Sequence, residues 1–196
     1  MANSDFLNDY KLEGSELKIF TYPAPILKKK AVAVEKFDDE LRALCKDMLY
    51  TMYKAPGIGL AAPQVGHSIR LFVMDIDYER EEIIKADETK EYAYSEFNPL
   101  ILINPKIENK VGELLYEEGC LSVPGIYEEV KRAESIKVTY QDLDGQTHEL
   151  QADGLLSICI QHENDHLDGY VFLERLSSLK RNFLTKKYLK RQQKNL

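Results

Sequence analysis

Two imidazoles, His162 and His166, stand four residues apart in the stretch Gln161-His162-Glu163-Asn164-Asp165-His166, with a carboxylate directly after the first. No other stretch limits the possible folds as strongly. Side chains at i and i+4 share one helix face, about 5–6 Å apart. Leu155, Ile158, Cys159, His162 and His166 recur at spacings of three and four, so the histidines continue an apolar stripe. A polar helix whose histidines are solvated or hydrogen-bonded is the plain reading of the motif, but the stripe points to a buried face, and a buried imidazole needs a partner. A single metal ion shared by both rings supplies one, and Glu163 can then reach water on that metal. Asp153 is placed to cap this helix before Gly154, and Gly169 to end it. The implied chemistry is hydrolysis by a metal-activated water.

A catalytic site of this kind needs three protein ligands and one open position. Phe172 stands where one metalloprotease pattern carries its last histidine, and a phenyl ring cannot ligate. After Glu174 the chain has no Asp, Glu, His or Cys, so the third ligand comes from upstream. The candidates are Cys45, His67, Cys120, His148 and Cys159. Cys159 lies seven residues before His166, about 10 Å along a helix axis, too far to share one ion with it. Cys45 belongs to an apolar helical stripe with Leu41, Leu44, Met48, Leu49 and Met52, which reads as core. His67 follows a glycine and His148 sits in a hairpin strand; both read as surface or turn residues. Cys120 differs. It lies in Glu117-Glu118-Gly119-Cys120-Leu121-Ser122-Val123-Pro124-Gly125, neither a clean strand nor a clean helix, where the glycines permit close backbone approach. A thiolate there completes a Cys-His-His site.

The run Gly57-Ile58-Gly59-Leu60-Ala61-Ala62-Pro63-Gln64-Val65-Gly66 leaves the backbone bare. Read plainly, it is a turn and a tightly packed strand. Read chemically, Gln64 is a lone amide in apolar surroundings, and its NH₂ can donate to a developing oxyanion. It is not a phosphate loop, because no Gly-Lys-Ser/Thr order follows.

Together, Gly57-Ile58-Gly59-Leu60-Ala61-Ala62-Pro63-Gln64, Glu118-Gly119-Cys120-Leu121-Ser122 and Gln161-His162-Glu163-Asn164-Asp165-His166 resemble the three signature motifs of the peptide deformylase family. The opening Pro23-Ala24-Pro25-Ile26-Leu27-Lys28 is also similar, with Lys28 where an Arg is common. The resemblance covers about residues 17 to 176. It implies removal of the formyl group from N-formylmethionine on new polypeptides. It implies Cys120, His162 and His166 as ligands of one divalent ion, Fe²⁺ in the cell and Zn²⁺, Ni²⁺ or Co²⁺ in purified protein. It implies Glu163 as general base and acid, with Gln64 and the Leu121 N–H as oxyanion donors. The expected peptide-binding wall is Ile58, Gly59, Gly119, Tyr127, Leu155, Ile158 and Cys159; for Leu155, Ile158 and Cys159 plain core packing is the competing reading. Tyr127 departs from the family, standing near a common Arg. The alternative is a metalloendopeptidase on the same helix motif, against which Phe172 and the acid-free tail argue.

The 196 residues suffice for a single catalytic domain spanning 1–196. With 44% hydrophobic and 30% charged residues the composition is that of an ordinary globular protein. Three cysteines make no disulfide framework and suit a reducing cytoplasm, where a thiolate ligand survives. The start carries no signal-like pattern, and no apolar run is long enough for a bilayer, so a membrane role is not expected. Residues 180–196 hold Lys180, Arg181, Lys186, Lys187, Lys190, Arg191 and Lys194 and no acid, although the net charge is −7. A solvated face is the ordinary reading of such a helix. The family resemblance offers the ribosome, a dense phosphate surface, as a partner, without sequence-specific nucleic-acid recognition.

Residues 1–16 read as an arm or short helix. Asp38 is placed to cap a helix to about Lys54. Strands are expected at 69–76, 100–107, 136–140 and 147–152, the last pair joined by Leu143-Asp144-Gly145-Gln146, and at 170–173. The acid-rich stretch 77–98 is expected to be an acidic insertion, a longer mobile excursion between two strands, and 177–196 a basic C-terminal helix or tail. Strands in runs with helices before and after argue for an α+β fold, mostly antiparallel sheets packed around a central metal-binding helix.

Overall fold

The computed structural model describes residues 7, 10–85 and 87–194. Among these, a five-stranded antiparallel sheet forms the centre, in spatial order β1 (Gly59–Ala61), β2 (Leu71–Met74), β5 (Leu100–Val111), β8 (Ser135–Gln141) and β9 (Thr147–Asp153). Two antiparallel hairpins stand outside it, β3–β4 (Glu79–Ile84 and Lys90–Ser95) and β6–β7 (Leu114–Gly119 and Tyr127–Arg132). The helices are α1 (Asp39–Lys54), α2 (Gly154–Leu167) and α3 (Ser178–Lys194). The architecture is α+β.

Side-chain alternation explains the layering. A strand sends successive side chains to opposite faces. Leu71 and Val73 of β2 join the cluster under α1, whereas Phe72 and Met74 join the cluster under α2. On β5, Ile101 and Ile103 face α1 and Leu102 faces α2. The central strands are therefore apolar on both sides, because a helix covers each face. At the sheet's other end, Ile136, Val138 and Tyr140 of β8 are buried in strict alternation with half-buried neighbours.

Helix α1 begins where Asp38 accepts the Leu41 N–H at 3.0 Å. It buries Leu41, Cys45, Met48, Leu49 and Met52 along the expected stripe, so Cys45 is core. Helix α2 follows β9 without a break. Asp153 stands at its N-cap but its side chain makes no capping bond. Gly154 instead takes φ +54° and donates its N–H to the Glu134 carbonyl at 3.0 Å, so strand pairing substitutes for the cap. Gly169, at φ +81°, ends the helix region as expected.

Three other expectations change. The insertion 77–98 carries regular structure of its own, which was not expected: β3 and β4 pair over six residue pairs, Glu79↔Ser95 to Ile84↔Lys90. Ile83-Ile84 and Tyr92-Ala93-Tyr94 stand there as short runs among charges on a mostly exposed ribbon, without the period-two alternation that marks a half-buried strand. Residues 170–173 are not a strand. Phe172–Arg175 form a 3-10 turn, because Glu174 accepts the Val171 N–H at 2.6 Å and Phe172 and Leu173 turn into the core. The segment before Cys120 is strand β6, hidden in the sequence by its acids. The short helix expected within 1–16 falls largely outside the described residues.

Helix α3 closes the third cluster. Its Leu184 and Tyr188 pack with Val123, Ile126, Val130, Phe172 and Leu173, directly behind the Cys120 loop. The partial stripe expected on this helix splits: Leu184 and Tyr188 are buried, but Leu179 and Phe183 are 81% and 65% exposed.

Candidate metal centre

Helix α2 is buried nearly all round, which fixes the direction of its polar side chains. His162 and His166 lie one turn apart with ring centroids 5.2 Å from each other. Phe172, at the position that cannot ligate, stacks on His162 at 6.3 Å with rings 23° from parallel. Where β6 ends, Gly119 and Cys120 turn toward the helix. The ligand-type atoms of Cys120, His162 and His166 all lie within 4.8 Å of one another, the sole such cluster among the described residues.

These residues fit a divalent ion. His162 donates Nδ1–H to Glu118 Oε2 at 2.8 Å, which leaves Nε2 for the centre. His166 Nε2 stands 3.2 Å from Cys120 Sγ. Sulfur and nitrogen ligands of one tetrahedral ion lie about 3.6 Å apart at ordinary bond lengths. Burial alone would raise the Cys120 pKa, but the two imidazoles outweigh it and bring the thiol down to about 5. A thiolate at neutral pH is the form that ligates. His162 is pushed the other way: burial would lower it, yet the Cys120 and Glu118 contacts hold it well above its ordinary value.

Glu163 lies beside this cluster, and its Oε2 is buried without a hydrogen-bond partner. Burial pushes its pKa up to about 7, against the nearby imidazoles, which lower it. Its carboxylate rests on Gly59: a Cβ there would stand 2.5 Å from Oε1. Gln64 is 1% exposed. Its Oε1 accepts the Ala61 N–H at 2.7 Å, and this orients Nε2 toward Cys120 Sγ at 3.7 Å and Ser122 Oγ at 3.2 Å. The amide thus presents its donor to the cluster.

A cleft of about 420 Å³ opens over the cluster. It is lined by every residue expected to touch substrate: Ile58, Gly59, Gly119, Tyr127, Leu155, Ile158 and Cys159. Gln64, Cys120, Leu121, His162 and Glu163 line it too, whereas His166 stands behind. Gly119 is required here, since a Cβ would meet the Tyr127 ring at 2.6 Å. Cys159 donates weakly to the Ile58 carbonyl at 3.6 Å, with its thiol pKa raised by burial. The rejected ligands stay apart: His67 is exposed, and His148 Nε2 donates to Asp142 Oδ2 at 2.6 Å.

One group of residues escaped the sequence reading. Arg132 donates to both oxygens of Glu118, at 2.6 and 2.9 Å, and to Asp165 Oδ2 at 2.6 Å. Arg175 holds the same Asp165 from the other side. All this lies behind His162, with Arg132 only 6% exposed. Burial would raise the Glu118 carboxyl, but Arg132 and His162 outweigh it and keep its pKa below the usual range. Glu118 is therefore ionised at neutral pH, and its contact with the His162 Nδ1–H orients that ring.

A buried carboxylate beside a thiol and two imidazoles, at the head of an apolar cleft on an α+β frame, makes a site that could hold a metal ion. The profile of the polypeptide deformylase family matches residues 16–182. A peptide deformylase from Chromobacterium violaceum is 51% identical over 180 residues, 92% of this chain and 98% of its own. One from Novosphingobium aromaticivorans is 48% identical over 176 residues, 87% of this chain and 94% of its own. The crystal structure of a peptide deformylase from Legionella pneumophila superposes with a TM-score of 0.77 at 41% identity, covering 92% of this chain and 98% of that one. That of a peptide deformylase from Synechococcus elongatus in complex with actinonin gives 0.75 at 42% identity, covering 91% and 88%. The chain belongs to the polypeptide deformylase family.

Proposed function

We propose that the chain removes the formyl group from N-formylmethionyl peptides by metal-dependent hydrolysis, with Cys120, His162 and His166 as the ligands. The observation that carries this reading is the convergence of these three donors within 4.8 Å beside the buried Glu163 carboxyl. A divalent ion held there supplies a Lewis acid and lowers the pKa of water toward neutrality. The mixed thiolate–imidazole set accepts Fe²⁺, the ion proposed for the cell, as well as Zn²⁺, Ni²⁺ or Co²⁺. Glu163, with a pKa of about 7, takes the proton of the attacking water and returns it to the leaving amine. Gln64 Nε2 and the Leu121 N–H donate to the oxygen of the tetrahedral intermediate; one such donor is worth about 3 kcal/mol in the transition state. Leu155, Ile158 and Cys159 form an apolar wall for the methionine side chain, and the Ile58–Gly59 backbone pairs with the peptide. No Cβ at Gly59 or Gly119 crowds that strip.

The three free cysteines suit a reducing compartment, the cytoplasm. Among the described residues no helix is long and apolar enough to cross a membrane. The exposed lysines of α3, Lys186, Lys187 and Lys190, form a cationic face suited to ribosomal RNA. Truncating α3 would not test this cleanly, because Leu184 and Tyr188 are core. Their burial contributes about 3–6 kcal/mol behind the Cys120 loop. Charge reversal of the three lysines should instead weaken ribosome co-sedimentation at low salt and spare turnover; unchanged binding refutes that partner.

The activity is tested with anaerobic, Fe²⁺-loaded protein offered formyl-Met-Ala-Ser and a longer unformylated peptide. Formate release without internal cleavage is the expected result. Cleavage inside the unformylated peptide, or no formate, overturns the reading.

A further inference from the structure

The hairpin β3–β4 is anchored on a buried hub that also grips the cleft wall. Asp75, 1% exposed, follows β2. Its carboxylate accepts from the Tyr53 hydroxyl at 2.7 Å, from the Asn98 N–H at 2.8 Å, and from the Asp77 and Tyr78 N–H groups at 3.0 and 3.2 Å. These bonds tie together both ends of the 77–98 stretch. The Asp75 N–H in turn donates to the Ile58 carbonyl at 3.0 Å. Tyr78, the last residue before β3, donates its hydroxyl to the Gly57 carbonyl at 3.2 Å. Its ring packs edge-on against Tyr53, with centroids 4.8 Å apart. Two successive carbonyls of the cleft wall are therefore held by groups at the foot of the hairpin. Gly57 also abuts Leu121: a Cβ on it would lie 2.8 Å from Leu121 Cδ1. The wall thus touches the Cys120–Leu121 turn on its other side.

We propose that the 77–98 stretch braces the substrate cleft, with Tyr78 as the positioning residue that fixes the 57–59 backbone for pairing with the formyl-peptide. This rests on the deformylase reading above. Strand β1 is only three residues long and pairs on one side, with β2. Among the described residues the Gly57 N–H is held by the Met52 carbonyl at 2.9 Å and the Ile58 carbonyl also takes a weak Cys159 contact, so the Tyr78 hydroxyl is the side-chain bond on the Gly57 carbonyl itself. An unbraced edge strand spends part of its time in geometries that cannot pair with a peptide, which taxes binding and leaves the reacting groups untouched. The Tyr78 phenol is protonated at neutral pH like any tyrosine, and burial raises its pKa further, so its hydroxyl is a donor.

The test is Tyr78→Phe, which keeps the ring and removes only the hydroxyl. KM for formyl-Met-Ala-Ser should rise about five-fold, the effect of one hydrogen bond, with kcat within two-fold of wild type. Inhibition by the product peptide Met-Ala-Ser should weaken by the same factor. Hydrogen exchange of the 57–59 amides should speed up several-fold while that of α2 stays unchanged. KM and product inhibition equal to wild type overturn the proposal, as does a fall confined to kcat. A wild-type enzyme that releases no formate overturns the deformylase reading instead, and the exchange measurement then still judges the brace.

Discussion

Replacing Arg132 by leucine is the sharpest test of how this site is held. Arg132, Glu118 and Asp165 are 6%, 4% and 4% exposed, so the guanidinium and both carboxylates are out of water. Leucine keeps most of the volume and removes every donor. Asp165 retains Arg175, but Glu118 is left with only the His162 Nδ1–H. Breaking a buried pair by removing one partner costs about 3–5 kcal/mol, because the other charge stays desolvated. With the guanidinium gone and each carboxylate left with a single partner, a loss of about 4 kcal/mol is expected. At an m-value of roughly 2.5 kcal/mol/M, the urea midpoint of chelator-treated protein falls by about 1.6 M. If His162 ligates as proposed, metal affinity should also fall about 10- to 100-fold, since Glu118 orients that ring. The double variant Arg132→Leu/Glu118→Leu removes the orphaned charge and should recover about half of the lost stability. A single variant within 1 kcal/mol of wild type, or strictly additive losses in the double, refutes the argument that a buried charge pair holds His162.

Glu163→Ala should retain stoichiometric metal and lose about 10²- to 10⁴-fold in turnover, read by metal analysis and formate release; unchanged turnover removes Glu163 from the chemistry. Gly59→Ala places a methyl 2.5–2.9 Å from the Glu163 carboxylate, so the base is displaced. Turnover should drop at least about ten-fold while the fold is kept, and a matching structure should show Glu163 rotated. Asp142 has its carboxyl held low by His148 and by the Gln146 and Asp144 amides, which outweigh burial. A depressed folded pKa stabilises above the unfolded value, about 3.9, and that stability is lost as pH falls through the lower folded value. Asp142→Asn should therefore cost about 1–2 kcal/mol at pH 7 and progressively less from pH 5 downward, read from urea midpoints; a cost independent of pH contradicts the assignment.

The elements that followed from local pattern were legible. Helix α1 carries its stripe and its Asp38 cap in one continuous segment, and β8 alternates cleanly between buried and half-buried positions. The ribbon β3–β4 and strand β6 were not legible, because most of their positions are exposed and charged, and the one buried residue of β6, Glu118, is an acid, so no apolar period-two alternation marks them. Phe172 shows the same limit from the other side. Its sequence neighbourhood reads as a strand, but burial against His162 and the Glu174 bond to the Val171 amide turn it into a 3-10 helix.

By itself, the sequence pointed to Cys120, His162 and His166 as candidate donors, since imidazoles one turn apart on an apolar stripe call for a shared partner, and the fold brings their ligand-type atoms within 4.8 Å of one another. Tertiary structure alone decided what aims and braces those donors. The Arg132–Glu118–His162 chain joins residues 14 and 44 positions apart, and Tyr78 meets Gly57 across 21. Such pairings leave no periodic trace, because they depend on which elements the sheet brings side by side and on how little water remains between them.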